Sequence, residues 1–530
     1  MLPHRTARNT QRGRAHTVAA VLLLCAFLFN ARPSLRAQSS DVAEITVLIR
    51  QGKLETADRR LQGLLAKNPD SAKARTLLGL VYLRETRYAD AETALHKALQ
   101  LDPRDFEALR YLGDAYFAEG KNDAAKTSYL DVLKINPQDA ATDLALANLY
   151  LHLGQFDASL EAAAKISPAK RTPELLPILA GDYVGLQQQE KASAEIQALL
   201  KVAGKNPTLV PQLAELLLDH GAFRTAEELL AKAAPLQELT DRFLLDLARA
   251  QDGTAHRDEA LRTLTQILQR SPQSLDALIA AAHVAGENSD WDQSITFLMR
   301  VQKLDPSRPD ILQSLASAQL YANRPAEAFE TAKKLQALHH DDLSASYFMA
   351  LALFGDSKWE EARPSAAKVL AARPDDREMN LTMAGIDYNL HELGEARKHL
   401  EICLKQNPSD PGALYYLGLV NKTEGDLDGA IKALMKSVAA NPKNSNAQSA
   451  LGGLCLQSGN LPCAREALEQ AIQLSPKESQ TRYQLSLAYT RSGLAQKAQE
   501  QLLVYQKLKA QEQYTPATAA APPITSQSKP

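Results

Sequence analysis

The chain has 530 residues, a formal net charge of −2, 23% charged residues and only 5% aromatic residues. Alanine, leucine, glutamine, glutamate and lysine dominate, which favours helices and argues against a β-sandwich or a β-barrel. The sequence has no basic run or basic–aromatic stripe, so nothing supplies the phosphate neutralisation that DNA or RNA binding requires.

The first 37 residues are predicted to be a signal peptide. Four arginines between residues 5 and 14 precede an apolar run from Val18 to Phe29, and Ala37 provides a small residue for cleavage. The run is shorter than the roughly 20 residues that cross a bilayer. We therefore expect a cleaved signal and a periplasmic or secreted protein, with an uncleaved anchor as the alternative. Cleavage removes six arginines and no acid, which moves the net charge from −2 to −8.

Between residues 38 and 512 the sequence repeats with a period of 34 residues. Prolines recur at spacings of 34 or twice 34, and most follow Asn, Asp or Ser. Such a pair ends one helix and begins the next, so each proline marks a boundary between helical hairpins. The prolines stand at positions 69, 103, 137, 272, 306, 374, 408, 442 and 476.

Each repeat also carries small residues at fixed places. A Gly, Ala or Ser stands 24 residues before the boundary proline, and a second small residue follows 12 residues later. Four residues further on, a larger side chain often appears. We expect the small pair where two helices approach closely and the large residue to fill the layer beside it. The two clearest repeats carry Leu78-Gly79, Tyr82, Ala91, Leu95, Ala98 and Pro103, then Leu112-Gly113, Tyr116, Ala125, Tyr129 and Pro137.

These residues resemble the tetratricopeptide repeat. The resemblance implies an all-α solenoid of about fourteen tandem helix-turn-helix repeats that form a right-handed superhelix, in which the first helix of each repeat, helix A, lines a concave groove. The second helix is called helix B. Repeat starts are projected at 38, 72, 106, 140, 173, 207, 241, 275, 309, 343, 377, 411, 445 and 479.

The segments outside this pattern receive separate predictions. Residues 140–240 are a degenerate part of the array, in which Pro168 ends one helix early. An enzyme hidden in this stretch is disfavoured because the repeat register persists there. Residues 513–530 are rich in Pro, Thr, Ala and Ser and are predicted to be a disordered tail.

Motifs for catalysis or for metal binding were sought without success. His391-Glu392 begins a metalloprotease-like pattern, but Glu395 stands where the second histidine must lie. The sequence has no nucleophile elbow, no Walker loop and no Cys-x-x-Cys pair. We therefore predict no enzymatic activity, no metal and no cofactor.

Three cysteines follow the predicted signal peptide, namely Cys403, Cys455 and Cys463. Cys455 and Cys463 are eight residues apart in one predicted hairpin, so a local disulfide is one interpretation. The favoured interpretation is that both are small residues that fill the core.

The candidate binding residues come from projecting positions 2, 5, 9, 12 and 13 of each repeat into the groove. The N-terminal set is polar and suits charged peptides, whereas the C-terminal set is rich in Tyr and Arg, which are enriched at binding hot spots. For each residue the alternative is a packing role or solvated surface. The predicted groove residues are Arg84, Arg110, Asp114, Asn148, Tyr347, Tyr388, Tyr415, Lys422, Tyr483 and Arg491.

The function predicted from these features is a non-catalytic scaffold of the cell envelope that binds partner proteins or extended peptides in the groove. The alternative is a periplasmic component of an exopolysaccharide or cellulose export system, or of an outer-membrane assembly system. Chaperone tails are not expected as partners, because the lysine, asparagine and arginine clamp of chaperone-binding relatives has no match in consecutive repeats.

Overall fold

The computed structural model describes residues 41–338 and 343–512. The described residues fall into an N-terminal unit that ends at Gly253 and a C-terminal unit that begins at Thr254. Every regular element in them is a helix. The predicted signal peptide and the predicted tail lie outside the described residues, so both remain predictions.

Odd-numbered helices are the A helices and even-numbered helices are the B helices. The N-terminal unit comprises α1 (41–50), α2 (Leu54–Lys67), α3 (Ala72–Arg84), α4 (Tyr88–Leu101), α5 (Phe106–Ala118), α6 (Asn122–Ile135), α7 (Ala140–His152), α8 (Phe156–Lys165), α9 (Leu175–Gly185), α10 (Gln189–Ala203), α11 (Leu209–Asp219), α12 (Phe223–Ala233) and α13 (Asp241–Gly253).

The C-terminal unit comprises α14 (Arg257–Arg270), α15 (Leu275–Glu287), α16 (Trp291–Leu304), α17 (Pro309–Tyr321), α18 (Pro325–Leu338), α19 (Leu343–Gly355), α20 (Trp359–Ala372), α21 (Arg377–Asn389), α22 (Leu393–Gln406), α23 (Pro411–Glu424), α24 (Leu427–Ala440), α25 (Ser445–Gln457), α26 (Leu461–Leu474), α27 (Ser479–Arg491) and α28 (Ala495–Glu512).

The all-α repeat fold predicted from the sequence is confirmed, with two helices for each projected repeat. From α3 onwards the A helices begin at the projected starts, except that α9 and α11 begin two residues late. Both exceptions lie in the degenerate stretch. There α8 ends at Lys165 and a short 3-10 turn, Pro168–Lys170, follows, which agrees with the early stop expected at Pro168.

The repeat boundaries and the hairpin turns use two local devices. Several A helices begin after a side-chain cap: the Asp105 carboxylate accepts hydrogen bonds from the N–H groups of Glu107 and Ala108, each 3.1 Å long. Such a cap satisfies donors that the first helical turn leaves without partners.

The turn from helix A to helix B always contains a residue in the left-handed region at position 15 of the repeat. Left-handed backbone suits glycine, because a Cβ crowds the following carbonyl. Half of these residues nevertheless carry side chains, among them Thr86 (φ 59°) and His391 (φ 63°). His391 is thus a turn residue. The glycines are 52, 120, 154, 221, 425, 459 and 493, and the others are Thr86, Gln187, Ala255, Ser289, Asn323, Ser357 and His391.

Inside a hairpin, the predicted small and large residues meet as expected. A Cβ built on Gly79 would lie 2.5 Å from Leu95 Cγ, and one built on Gly452 would lie 2.5 Å from Leu468 Cγ. Both leucines are fully buried. The glycine therefore lets the large residue of helix B lie directly on helix A.

Neighbouring repeats are joined by a second contact, from the start of helix B to the end of the next helix A. The rings of Phe156 and Phe223 lie on Gly185 and Gly253, where a Cβ would come within 2.3 Å of ring carbons. Trp291 meets Tyr321 at the equivalent place. The Tyr321 side chain prevents the Trp291 ring from lying directly on the helix. The two rings therefore stack with their centroids 4.6 Å apart, and Tyr321 is 53% exposed.

The expectation that Cys455 and Cys463 fill the core as free thiols is wrong. A disulfide joins them, with Cα atoms 5.8 Å apart. Cys455 lies near the end of α25 and Cys463 near the start of α26, so the hairpin turn brings them face to face. Cys403 is a free, buried cysteine.

The N-terminal unit contains a buried carboxyl group, Asp182, on α9. The Ser159 hydroxyl lies 2.7 Å from Asp182 Oδ2 and 2.8 Å from the carbonyl oxygen of Ala147, while Asp182 Oδ1 has no partner among the described residues. A hydroxyl has one proton to donate. If Ser159 donates it to the carbonyl, a protonated Asp182 completes the chain by donating to Ser159. Burial raises the pKa of Asp182 to about 7, which agrees with this arrangement.

Candidate protein-binding surface

The A helices form one layer of each unit, in which many neighbouring A helices pack against each other, as α3 with α5 in the N-terminal unit and α25 with α27 in the C-terminal unit. Such contacts are rarer between neighbouring B helices. The face of this layer that points away from the B helices, called here the A face, is the surface onto which the sequence projected the candidate residues.

Two of the N-terminal candidates have side chains available for binding. Arg84 is exposed at the end of α3, and Asn148 is half-buried on α7; neither side chain has a hydrogen bond or an ion pair with the described residues. Arg110 is engaged within the fold, since its guanidinium lies 3.3 Å from the Asp139 carboxylate and 5.1 Å from the ring centroid of Tyr111.

Asp114, which the sequence predicts to line the groove, is hydrogen-bonded within its own hairpin. Its carboxylate accepts a 2.8 Å hydrogen bond from the Tyr129 hydroxyl. Tyr129 lies on Gly113 as Leu95 lies on Gly79, and because tyrosine is longer, its hydroxyl reaches past the glycine to Asp114. Burial raises the pKa of Asp114, with the Tyr129 hydrogen bond and Arg110 acting in the opposite direction. The contact gives Asp114 a packing role.

Three of the four tyrosines of the C-terminal set, Tyr347, Tyr388 and Tyr415, lie on α19, α21 and α23. The Tyr347 hydroxyl donates to Glu378, whereas the hydroxyls of Tyr388 and Tyr415 have no hydrogen-bond partner among the described residues. Both rings contact Tyr416, with centroids 6.2 and 5.2 Å away. Burial raises the pKa of Tyr415 to about 12, so both its donor and its acceptor are present at neutral pH.

The remaining three candidates lie nearer the end of the array. Lys422 is exposed on α23 and forms no ion pair with the described residues. Tyr483 packs on Tyr505, with ring centroids 5.2 Å apart. Arg491 donates a 2.9 Å hydrogen bond to the carbonyl oxygen of Leu456 near the end of α25. Arg491 therefore satisfies a helix terminus of the preceding repeat. Partner binding by the ten candidates stays a prediction.

Tyr415 and Lys422 border a cleft of about 390 Å³ on the A face, called here the polar groove. The size falls within the range of ligand sites in proteins. Its floor is α25, its walls come from α23, from α27 and from the end of the B helix α26, and most of its side chains are amides or hydroxyls. The lining residues are Tyr415, Lys422, Ser445, Asn446, Ser449, Ala450, Gly453, Gln457, Ala471, Ser475, Glu478, Gln480, Thr481 and Gln484.

Small residues on α25 make the polar groove deep. Ser449 shares a 2.8 Å hydrogen bond with Thr481 across the floor. A Cβ on Gly453 would lie 3.0 Å from Gln484 Nε2, and Gln484 Oε1 is buried without a hydrogen-bond partner in the described part of the chain. The groove thus combines a close-packed floor with polar groups that the fold leaves incompletely paired.

Four lining residues of the polar groove lie at the helix positions that the sequence projection used, although they are not among the ten predicted residues. Asn446, Ser449, Gly453 and Gln457 occupy positions 2, 5, 9 and 13 of the repeat that starts at 445. They are absent from the predicted set because that set favours tyrosines and charged residues. A polar set at several projected positions of one repeat is the signal that would have identified them.

Two features are absent from residues 41–338 and 343–512, a candidate metal site and a helix that could cross a membrane. These residues contain no group of three or more His, Cys, Asp or Glu residues that could hold a metal ion. Among the described helices, none combines the length and the apolar character that crossing a bilayer requires.

The solved structures similar to this chain include other helical-repeat proteins. The APC/C hetero-tetramer Cut9-Hcn1 matches at 16% identity and a TM-score of 0.40, over 88% of this chain and 92% of that chain. MamA matches at 22% identity and a TM-score of 0.28, over 33% and 96%. A tetratricopeptide repeat protein from Parabacteroides merdae matches at 15% identity and a TM-score of 0.40, over 47% and 97%. A search of curated proteins found no match.

Family models identify the repeat directly. A tetratricopeptide repeat model matches residues 42–106, 78–140, 381–446 and 424–479, and a second tetratricopeptide repeat model matches residues 116–180. The matched segments lie in both units and agree with the hairpin register and with the small and large positions described above. Residues 42–180 and 381–479 are therefore tetratricopeptide repeats.

Proposed function

We propose that this protein is a non-catalytic scaffold that binds partner proteins along the A face of its C-terminal unit. Tetratricopeptide repeats commonly serve protein interaction, which supports the general role. The comparisons do not favour the polysaccharide-export alternative, and we do not propose it.

The observation that carries this assignment is the set of unpaired polar groups around the polar groove. Tyr388, Tyr415 and Lys422 come from neighbouring repeats, and none of them has a hydrogen-bonding partner among the described residues. A half-buried tyrosine hydroxyl usually finds a partner, so these groups are suited to a ligand.

Site-specific photo-crosslinking tests the proposal. Lys422→p-benzoylphenylalanine puts the crosslinker on the A face, and Lys432→p-benzoylphenylalanine puts it on an exposed site of B helix α24 as a matched control. We expect discrete protein adducts from position 422 that are absent from position 432. Equal labelling at both positions, or no adduct at 422, would contradict the proposal.

A second pair of variants tests the side chains themselves. Tyr388→Phe with Tyr415→Phe removes two hydroxyls and keeps both rings, so packing against Tyr416 is retained. The double variant is expected to bind the crosslinked partner at least several-fold more weakly, as judged by titration of the purified proteins. Unchanged affinity would mean that the hydroxyls of Tyr388 and Tyr415 do not contribute to partner binding.

We also propose that the protein works in the periplasm or outside the cell. The signal-peptide pattern of residues 1–37 and the disulfide between Cys455 and Cys463 support this location, because disulfides persist in oxidising compartments. Cell fractionation with thiol alkylation is the test. A cytoplasmic protein that retains residues 1–37 and has Cys455 and Cys463 as free thiols would refute it.

A further inference from the structure

The polar groove differs from its surroundings in having a long, uncharged centre. Its floor helix α25 has 13 residues, which span about 18 Å at 1.5 Å per residue. An extended polypeptide covers that distance with about five residues. The groove is therefore matched in length to a short extended segment.

The chemistry of the groove lining matches a polypeptide main chain. Asn446, Gln457, Gln480 and Gln484 line the groove, and each amide carries a donor and an acceptor, as a peptide group does. The Tyr415 ring is mostly buried beside Tyr416, so the groove lacks the open aromatic face on which a sugar ring would stack. These features favour a peptide over a glycan.

The floor also restricts side chains on the ligand. Ser445 and Ala450 are small, and the Gln484 amide lies over Gly453, so the ligand backbone can approach the floor and meets a polar group there. The lining is predominantly polar, and it has no aliphatic side chain larger than alanine. A bulky apolar side chain on the ligand would lose its hydration without gaining apolar contacts.

The only charged residues in the lining stand at opposite ends. Lys422 and Gln457 lie towards the C-terminal ends of α23 and α25, whereas Glu478 and Ser445 lie at the N-terminal ends of α27 and α25. Neither Lys422 nor Glu478 forms an ion pair among the described residues. The groove thus presents one positive and one negative end about five peptide residues apart.

We infer that the polar groove binds an extended segment of a partner protein through its main chain, with about five small or uncharged polar residues between an acidic group at Lys422 and a basic group at Glu478. This inference rests on the proposed function and adds the chemical class of the partner segment.

The probes are three fluorescent, capped heptapeptides that share a centre of five Ser, Ala and Thr residues. One has Asp at one end and Lys at the other, one has Asp at both ends, and one has Lys at both ends. Fluorescence anisotropy with the full chain is expected to show the mixed-charge peptide binding tightest. Because an exposed ion pair contributes little, the preference over each like-charged peptide is expected to be roughly two- to fivefold.

Two variants connect binding to the groove. Gly453→Leu pushes the Gln484 amide from its place over α25 into the groove and is expected to abolish binding, whereas Gly394→Leu on α22 is the control for adding a leucine to a helix, because a Cβ there meets no atom within 4 Å. Lys422→Glu changes an exposed residue, does not threaten folding, and should shift the preference to the peptide with Lys at both ends. The same affinity order in wild type and Lys422→Glu would overturn the charge assignment.

The remaining outcomes separate this inference from the proposed function. If no peptide binds while crosslinking at position 422 still captures a partner, the inferred chemistry fails and the scaffold function stands. If crosslinking also fails, the proposed function fails. Cellohexaose binding that Gly453→Leu abolishes would overturn the inference in favour of a glycan site.

Discussion

Replacing Asp182 with asparagine should make the stability of the protein less dependent on pH. Asp182 is fully buried, and its pKa in the folded protein is raised to about 7, against about 3.9 in an unfolded chain. Above pH 3.9 the unfolded chain releases this proton while the folded protein still holds it. Folding therefore loses stability as the pH rises from about 4 to 7, and the loss is complete above that range.

The size of the effect follows from the two pKa values. Each pH unit between them costs about 1.4 kcal/mol, so the wild-type carboxyl destabilises the fold by about 4 kcal/mol at pH 8 and about 1.5 kcal/mol at pH 5. The amide of the introduced asparagine would donate to Ser159 as protonated Asp182 does, at every pH. Any other effect of the amide is independent of pH and cancels when the two conditions are compared.

The assay is urea denaturation followed by circular dichroism, for wild type and Asp182→Asn at pH 5 and pH 8. The difference in unfolding free energy should shift by about 2.5 kcal/mol in favour of the variant between these conditions. Subtracting the two proteins removes the titration of all other groups. A difference that is the same at pH 5 and pH 8 would refute the reasoning, because Asp182 would then not titrate between the folded and unfolded states.

Three further changes test the packing of the repeats. Thr86→Gly should raise the unfolding free energy by about 1 kcal/mol, because a β-branched residue is strained at φ 59°; an unchanged urea midpoint would contradict this. Gly452→Val should lower the unfolding free energy by about 2 kcal/mol, because the valine clashes with Leu468. Gly394→Val, on open surface, should lower it much less. Equal losses for the two variants would argue against a close helix contact at Gly452. The double variant Cys455→Ala, Cys463→Ala should lower the unfolding free energy by about 2 kcal/mol, since the disulfide joins residues eight positions apart. Reducing the wild-type protein with dithiothreitol should lower it by the same amount. No effect of reduction would indicate that both cysteines are free thiols.

The repeat register could be predicted from the sequence because it depends on residues with a single structural meaning. Proline at a boundary and glycine under a large side chain leave few alternatives, so most projected starts match the observed helices. The left-handed turn residue at position 15 was not predicted. Thr86, Gln187 and His391 carry no common chemistry there, and the conformation is imposed by the helices on either side of the turn.

The binding surface was less predictable, because it depends on which polar groups the fold leaves unpaired. Asp114 and Arg491 occupy the projected positions, yet Tyr129 and the Leu456 carbonyl engage them. The first pairing depends on the length of the Tyr129 side chain in α6, and the second depends on where α25 ends. In contrast, Gln484 is at position 6 of its repeat, outside the projected positions, and its role is visible only when α25 and α27 lie side by side.

The ring-on-glycine contacts affect how an array of this kind can be rearranged. Phe156 and Gly185 belong to different repeats, as do Phe223 and Gly253, so each pair is split when one repeat is moved alone. A transplanted repeat would bring its phenylalanine to a neighbour with a side chain in the way, as Tyr321 is for Trp291. Recombination in the turn between helix A and helix B therefore keeps each of these ring-on-glycine pairs together. Recombination at the boundary between two repeats separates the phenylalanine from its glycine.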